Sequence, residues 1–494
     1  MKLFPIRLLI ISFFVILSCQ KKEAAHSPMA SASLWQHHDR YKEPSIKNRF
    51  FKHSDIVPLI EKHAASGLFR HEILGKSAQG RSIHHLSIGQ GKIKVLLWSQ
   101  MHGDEATATM ALFDLFNFFS AKDEYDSLRS SLLGNLELHF VPMLNPDGAE
   151  LWQRRNALDI DVNRDARNLA TPEGRILMSI GKSLKPDFGF NLHDQSVYYT
   201  AGSTFHSATI SFLAPAYNYE KNMNDIRERA TQLILVMDRA LQEKIPGKVA
   251  KYDDEHDPRC FGDNFQALGI STILIESGGF PQDTEKQHIR KLNFYALLTA
   301  FESIIKSSYT NESLSTYDTI PENSRFLYDL VIRNVRVKKS EQTFTTNLGI
   351  IRSQLKRADY SGVDFRGYID EMGDMDRQFG YEEVNADSLQ FTQGKVKTMR
   401  QKEWESLTTE DEMALIRQGF LFVKWTDGPS PVGPIASRRL NLINNIDDVT
   451  KTPRPGQSAN FLLMRDSTLV YAVVNGFLVD AGKEAKPYPN SIGF

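Results

Sequence analysis

Between Ile46 and about residue 310, short apolar runs alternate with longer runs in which apolar residues recur every three or four positions. The short runs KIKVLLWSQ, LELHFVPML, KPDFGFNLH and STILIES have the length and the branched or aromatic content of buried strands. The longer runs ATATMALFDLFNFF and NDIRERATQLILVMDRALQEK have the periodicity of helices. This pattern predicts an α/β domain over residues 46–310, with a mixed, largely parallel sheet flanked by helices.

The pattern changes in the last third of the chain. Segments such as FLYDLVIRNVRVKK and TLVYAVVNGFLVD are short and rich in alternating or β-branched residues, and turn-forming stretches such as TPRPGQ separate them. One helix is indicated at TTEDEMALIRQGF. We therefore expect residues 311–494 to form a mostly-β accessory domain that packs against the α/β domain.

The N-terminus carries an export signal. Lys2 and Arg7 precede the apolar run Leu8 to Leu17, which is too short to span a bilayer by itself. The run ends in ILSC, which resembles a bacterial lipobox and implies a lipidated Cys19 as the mature N-terminus. Residues 1–19 would be the signal peptide and residues 20–45 a tether. The expected location is a bacterial membrane, at its periplasmic face or the cell surface; ordinary secretion with cleavage nearby is the alternative.

Charge and cysteine content bear on the partners, the disulfide bonds and the nucleophiles that this chain can have. The 494 residues carry a formal net charge of -1, which gives no indication of a nucleic-acid partner. Cys19 and Cys260 are the two cysteines, so lipidation of Cys19 would leave no intramolecular disulfide. Nothing in DPRCFGDN would activate Cys260. We expect it to be a passive, half-buried thiol rather than a nucleophile.

Polar residues follow the predicted strands at the edge where parallel sheets bind ligands. His102 and Glu105 follow KVLLWSQ, His193 follows DFGFNL, and Glu276 follows STILI. The spacing of His102 and Glu105 lets them converge on one ion, and two histidines with one carboxylate form a catalytic zinc set that leaves a position open. Each residue alone has an ordinary explanation; Glu105, for instance, could cap the next helix. The joint pattern favours a zinc site.

The order of the motifs adds a family resemblance. GKSAQGRSIHHLSIG, HGDE, NPDG, an arginine followed by DVNR, LHDQ and LIESGG resemble the zinc carboxypeptidases of the carboxypeptidase A-like (funnelin) family, roughly from Phe50 to Lys306. The resemblance implies one zinc ion in the catalytic domain, held by His102, Glu105 and His193. It implies a peptide substrate with a free C-terminal carboxylate. It says nothing about the last third of the chain.

The resemblance also implies roles around the metal. Glu276 would be the general base for a metal-activated water, and Arg154 would stabilise the oxyanion, with Arg155 as the fallback. Asp161 would orient a zinc-binding histidine. The remaining positions are substrate-binding: Asn163 and Arg164 would hold the terminal carboxylate, and Tyr252 stands at a plausible spacing for the family's mobile tyrosine.

Three functions are therefore open. The first is a zinc metallocarboxypeptidase that hydrolyses C-terminal bonds of extracytoplasmic peptides. The second is a zinc amidase or deacylase that acts on cell-wall peptides or N-acyl amino acids, which would also need a carboxylate clamp. The third is a non-catalytic, lipid-anchored binding protein on the same scaffold, for which a lost ligand or a replaced Glu276 is expected. All these positions are filled, which favours an enzyme.

Overall fold

The computed structural model describes residues 30–483 and 488–494. Its first large sheet has eight strands in the order β1-β2-β4-β3-β5-β9-β7-β8. They are β1 (Arg70–Lys76), β2 (Ser82–Ile88), β3 (Ile93–Ser99), β4 (Leu136–Val141), β5 (Phe188–Asp194), β7 (Ile210–Leu213), β8 (Val249–Lys251) and β9 (Ser271–Ser277), with β6 (Thr200–Ala201) outside the sheet. The four central strands, β4, β3, β5 and β9, run parallel. The predicted mixed, largely parallel sheet is confirmed.

Helices cover both faces of this sheet. They are α1 (Leu34–His37), α2 (His53–Ala65), α3 (Thr107–Ser120), α4 (Asp126–Asn135), α5 (Pro146–Leu151), α6 (Pro172–Leu184), α7 (Asp225–Gln242), α8 (Phe261–Ala267) and α9 (Gln287–Lys306). Alternate residues of β3 enter two cores: Val95 and Leu97 pack with α3, α7 and α9, whereas Leu96 and Trp98 pack with α6 and α8. Burial on both faces explains why β3 is apolar at successive positions from Val95 to Trp98.

Residues 30–45 pack against the α/β domain, so the prediction of a tether over residues 20–45 is wrong for this part. Leu34 and Tyr41 are buried, and the Ser31 backbone N–H donates to Glu302 Oε2 at 2.8 Å. Small and polar residues surround these few apolar anchors, and that composition resembles a linker. Residues 20–29, the apolar run and Cys19 lie outside the described part of the chain. No helix within the described part is long and apolar enough to cross a membrane.

A buried ion pair joins α3 and α9 beneath this N-terminal segment. Asp114 and Arg290 are both fully buried, and Arg290 Nε donates to Asp114 Oδ2 at 2.7 Å. Asp114 also bonds to His38 Nε2 (2.8 Å) and accepts from the Glu43 backbone N–H (2.8 Å). One carboxylate therefore ties two helices to the N-terminal segment.

We expect Asp114→Asn to lower the free energy of unfolding by about 3–5 kcal/mol, because it leaves the Arg290 charge buried and unpaired. Denaturant unfolding measures the change. Glu124→Gln breaks an ion pair with Arg40 of 2.6 Å between half-exposed side chains, and it should lower the free energy of unfolding far less because solvent screens this pair. Equal, small losses in the two variants would contradict the prediction.

The C-terminal region contains two further sheets. One has the order β13-β12-β11-β15-β20-β21-β22, with β14 paired to β11, and the other has the order β16-β17-β19-β23-β18. Its strands are β10 (Asn323–Ser324), β11 (Leu327–Lys339), β12 (Gln342–Lys356), β13 (Val363–Gly373), β14 (Phe379–Asn385), β15 (Gln390–Gln393), β16 (Lys395–Met399), β17 (Phe420–Trp425), β18 (Gly433–Ala436), β19 (Asn441–Leu442), β20 (Phe461–Arg465), β21 (Thr468–Val474), β22 (Phe477–Asp480) and β23 (Asn490–Gly493). Two helices accompany them, α10 (Gln401–Ser406) and α11 (Thr409–Arg417), the second at the predicted helical segment.

The C-terminal region packs against the loop that follows β5. Strand β10 pairs with β6, and Asn323 Nδ2 donates to Gln195 Oε1 at 2.8 Å. The Tyr198 hydroxyl donates to Asp329 Oδ2 at 2.7 Å, and the Tyr381 hydroxyl donates to the Val197 carbonyl at 2.6 Å. These contacts agree with the expectation that the two regions pack together. They also bring the C-terminal sheet next to the carboxyl end of β5.

Candidate active site

Three adjacent parallel strands deliver the polar residues to one edge of the sheet. His102 and Glu105 follow β3, His193 is the penultimate residue of β5, and Glu276 lies at the end of β9. His193 and Glu276 are direct register partners, and paired residues of neighbouring parallel strands share a face of the sheet. Strand order and register, rather than nearness in sequence, therefore bring these residues together.

The loop that carries His102 is held by the NPDG turn. Asn145 caps α5 by accepting from the Gly148 backbone N–H at 2.8 Å, and its Nδ2 donates to the Met101 carbonyl at 3.2 Å. A Cβ on Gly103 would lie 2.0 Å from the backbone carbon of Gly148, so this close approach requires glycine. The turn is thus a structural support for the loop that carries His102, a role that its sequence alone did not reveal.

The side chains of His102, Glu105 and His193 converge. All three are buried, and one potential ligand atom from each lies within 4.8 Å of the other two. Glu105 Oε1 is 2.8 Å from His102 Nδ1, and Glu105 Oε2 is 2.7 Å from His193 Nδ1. The two Nδ1 atoms are 3.2 Å apart. Two imidazoles and one carboxylate that face one another fit the donor set of a catalytic zinc ion.

Asp161 and Arg154 complete the surroundings of this triad. His102 Nε2 lies 3.0 Å from Asp161 Oδ1, so Asp161 orients the ring and directs Nδ1 at Glu105. Arg154 Nε donates to Asp161 Oδ2 at 3.0 Å, and its Nη1 lies 3.2 Å from Glu105 Oε1. Arg155 instead donates to the Asp159 carbonyl on the exposed side of the turn. The structure therefore places Arg154, and not the fallback Arg155, at the triad.

The charges of the triad depend on one another. Burial opposes ionisation of Glu105, but the two histidines beside it outweigh burial and lower the pKa of its carboxyl well below the usual range. Burial also opposes a charge on His102, but Glu105 and Asp161 outweigh it and raise the pKa of His102 to about 9. The pocket is thus built to hold positive charge between carboxylates.

Asn163 and Arg164 occupy the next turn of the chain. The Asn163 side-chain amide lies 3.4 Å from His193 Nε2, and its Oδ1 accepts from the Phe261 backbone N–H at 3.0 Å. Arg164 Nη1 donates to the Asn163 carbonyl at 3.0 Å, and its Nε is 3.4 Å from Asp257 Oδ2. The Arg164 side chain is 39% exposed, so its guanidinium is held in place and is accessible to a ligand.

Glu276 is buried beside the triad, and its Oε2 atom has no hydrogen-bond partner. Burial, followed by the negative charge of Glu105, raises the pKa of the Glu276 carboxyl well above the usual range. Tyr252 follows β8 and lies near Glu276. Burial, and after it the negative charge of Glu276, raises the pKa of the Tyr252 hydroxyl. The structure therefore brings Tyr252 to the site, although the surrounding sequence was not diagnostic.

Cys260 and Asp263 lie at the start of α8, which follows the loop next to Arg164. Burial raises the pKa of the Cys260 thiol to about 12, so the thiol stays protonated, as expected of a passive cysteine. Asp263 is buried, and its Oδ1 lies 3.1 Å from His256 Nδ1 and accepts from the Asp257 backbone N–H at 3.1 Å. Asp263 thus bonds to the loop that precedes it and stabilises the turn next to Arg164.

Comparison with known proteins points to one family. Residues 61–198 match the family described as zinc carboxypeptidase. The chain is 26% identical over 166 residues to a probable carboxypeptidase 2 of Trichophyton verrucosum, which covers 31% of each protein. It is 31% identical over 103 residues to carboxypeptidase SOL1 of Arabidopsis thaliana, which covers 19% of this chain and 21% of the relative. The chain thus spans about a fifth to a third of the length of these curated relatives.

Solved carboxypeptidase structures were also found. A metallo-carboxypeptidase from Burkholderia cenocepacia aligns with a TM-score of 0.44 and 15% identity, over 52% of this chain and 70% of that chain.

Proposed function

Residues 61–198 match the zinc carboxypeptidase family, and from this premise we propose that the protein is a metallocarboxypeptidase that removes residues from the C-terminus of peptides. We further propose that it acts outside the cytoplasm, because the N-terminal run and Cys19 have the pattern of an exported lipoprotein. The peptide substrate would need a free C-terminal carboxylate.

One observation carries the proposal: the unpartnered Glu276 carboxyl lies beside the converging His102, Glu105 and His193 side chains. A buried carboxyl with an unsatisfied oxygen is costly unless a ligand completes it. A carboxyl placed next to a two-histidine, one-carboxylate set has the position of a general base in a hydrolase. A binding protein on the same scaffold would have no need for it.

The residues of this chain fit a zinc ion. His102 Nδ1, His193 Nδ1 and one or both Glu105 oxygens would hold it, with Asp161 fixing the orientation of His102. When bound, zinc would supply Lewis acidity toward water and the substrate carbonyl. The three ligands leave room for further coordination, as a catalytic site requires.

The chain's own groups account for the other steps. Glu276 has a raised proton affinity, so its carboxylate would take a proton from the attacking water and then pass it to the departing amine. Arg154 presents a guanidinium at Glu105 and would stabilise negative charge on the carbonyl oxygen. Asn163 and Arg164 would bind the terminal carboxylate and so place the last peptide bond at Glu276.

The test is hydrolysis of matched peptides with free and amidated C-termini, together with N-acyl amino acids and cell-wall peptides. We expect chelator-sensitive release of single residues from free peptides only. Arg164→Gln should raise KM for these peptides at least about tenfold, because it removes a charged partner of the carboxylate. Arg155→Gln is the matched control, since Arg155 faces away from the site.

Each other outcome has a distinct meaning. Release from amidated peptides at the same rate would contradict the carboxylate clamp. Hydrolysis confined to N-acyl amino acids or cell-wall peptides would support the amidase or deacylase alternative. Zinc binding without hydrolysis of any substrate would favour a binding protein.

A further inference from the structure

A cavity of about 410 Å³ opens beside Glu105. It is built from three separated parts of the chain: the active-site strand ends, the segment before α2, and the C-terminal sheet. The lining residues that matter here are Arg49, Asp104, Glu105, Asp194, Arg325 and Tyr368. The C-terminal region therefore forms one wall of a cavity that begins at a residue of the proposed metal triad.

The position of the cavity indicates which part of a bound peptide it would hold. The residues proposed to bind the terminal carboxylate, Asn163 and Arg164, do not line it, and neither does Tyr252. A peptide held by its C-terminus at Arg164, with its last bond at Glu276, has only its N-terminal part left to place. That part, the acyl side of the scissile bond, would extend past Glu105 into the cavity.

Six charged residues line the cavity: the cations Arg49, Lys286 and Arg325, and the carboxylates Asp104, Glu105 and Asp194. Glu105 belongs to the triad, so in the rest of the cavity three cations face two carboxylates. Lys286 and Asp194 form a buried ion pair of 3.0 Å, so they neutralise each other. Burial lowers the pKa of the Arg49 guanidinium, although nearby carboxylates, Asp194 and Asp104 among them, oppose that shift. Arg325 is exposed and forms no ion pair with any of the described residues. One guanidinium, contributed by the C-terminal region, is thus left over.

The hydrogen-bond donors of the cavity also indicate an anionic ligand. The Arg49 Nε–H is buried without an acceptor, although Arg49 Nη2 donates to Gln354 of the C-terminal sheet. Arg49 lines the cavity and is only 8% exposed. Its charged side chain therefore carries a buried hydrogen-bond donor that has no acceptor. An anionic group with several acceptor oxygens would satisfy both Arg49 and Arg325.

We propose that the C-terminal region determines which residues the enzyme prefers on the acyl side of the scissile bond. Arg325 and Arg49 would bind a carboxylate that the substrate carries there. The proposal rests on the proposed peptidase function and extends it. It gives the C-terminal region a direct role in substrate choice. The wall is held in place for this role, because Gln195, Val197 and Tyr198 all bond to C-terminal residues.

The test measures binding separately from catalysis. Three peptide sets that differ only by Glu, Gln or Lys, placed one or two residues before the scissile bond, are titrated against the zinc-loaded full chain carrying Glu276→Gln. We expect the Glu peptides to bind about fivefold more tightly than the Gln peptides, and the Lys peptides more weakly. The preference should shrink as salt is raised, because Arg325 is exposed.

Arg325→Gln should abolish the difference in affinity between the Glu and Gln peptides. Arg336→Gln is the matched control: Arg336 is an exposed arginine on β11 that does not line the cavity. Equal binding of Glu and Gln peptides by the parent chain would overturn the proposal, and so would a preference that survives Arg325→Gln. Wild-type hydrolysis of the Gln peptides shows separately whether the peptidase function holds. If none of the peptides is bound or cleaved, both proposals fail.

Discussion

Glu276→Gln should lower kcat for free peptides by about a thousandfold, within the range expected for loss of a general base, while zinc stays bound. Glutamine keeps the size of the side chain but cannot accept a proton. KM should change little, because Glu276 is not among the residues proposed to bind the terminal carboxylate. Steady-state kinetics together with metal analysis of the same preparations measure the effect.

Glu61→Gln is a suitable control for this variant, since Glu61 is an exposed residue of α2 and should leave kcat unchanged. Loss of zinc from Glu276→Gln would mean that Glu276 is a metal ligand rather than the base. A kcat within a few-fold of the parent would remove Glu276 from the chemistry altogether.

Replacing one member of the triad should have the other large effect. We expect His193→Ala to purify without stoichiometric zinc and to lose activity to the level of a chelated sample, because only two of the three ligands remain. The parent should also melt at a higher temperature with zinc than after chelation, since zinc binds only the folded chain tightly. That difference should disappear in His193→Ala.

The control for metal binding is His206→Ala, because His206 lies outside the triad and contacts Lys248. It should keep full zinc content. If His193→Ala retained zinc, or if the parent showed no thermal response to chelation, the assignment of the metal site would be wrong. Metal analysis and thermal melting give this answer without any substrate.

The sequence predicted the central sheet well because its strands are buried on both faces. β3, β5 and β9 are almost continuously buried and each contains a short apolar run, which stands out against the periodic helices between them. The N-terminal segment was mistaken for a tether because only a few anchors, such as Leu34 and Tyr41, fix it. The Asp114–Arg290 pair beneath this segment joins residues that are far apart in the chain, so no local sequence pattern indicates it.

Residues of the candidate active site likewise differ in whether a local sequence pattern predicts their position. His102, Glu105, His193 and Glu276 could be proposed from sequence because each follows a recognisable strand. The position of Tyr252 depends on how the loop after β8 folds back, which is a tertiary matter. The cavity wall could not be predicted from sequence, because Arg325 and Asp104 line the same cavity only through the packing of two separately patterned regions.

The contacts between the loop after β5 and the C-terminal region bear on how a shortened protein should be made. A chain cut at the predicted boundary near residue 310 would lose the partners of Gln195, Val197 and Tyr198. These residues begin two positions after His193, so the cut would remove contacts of the segment that directly follows a proposed metal ligand. An inactive fragment of this kind would report on lost support rather than on the catalytic residues, and expression work should keep the two regions together.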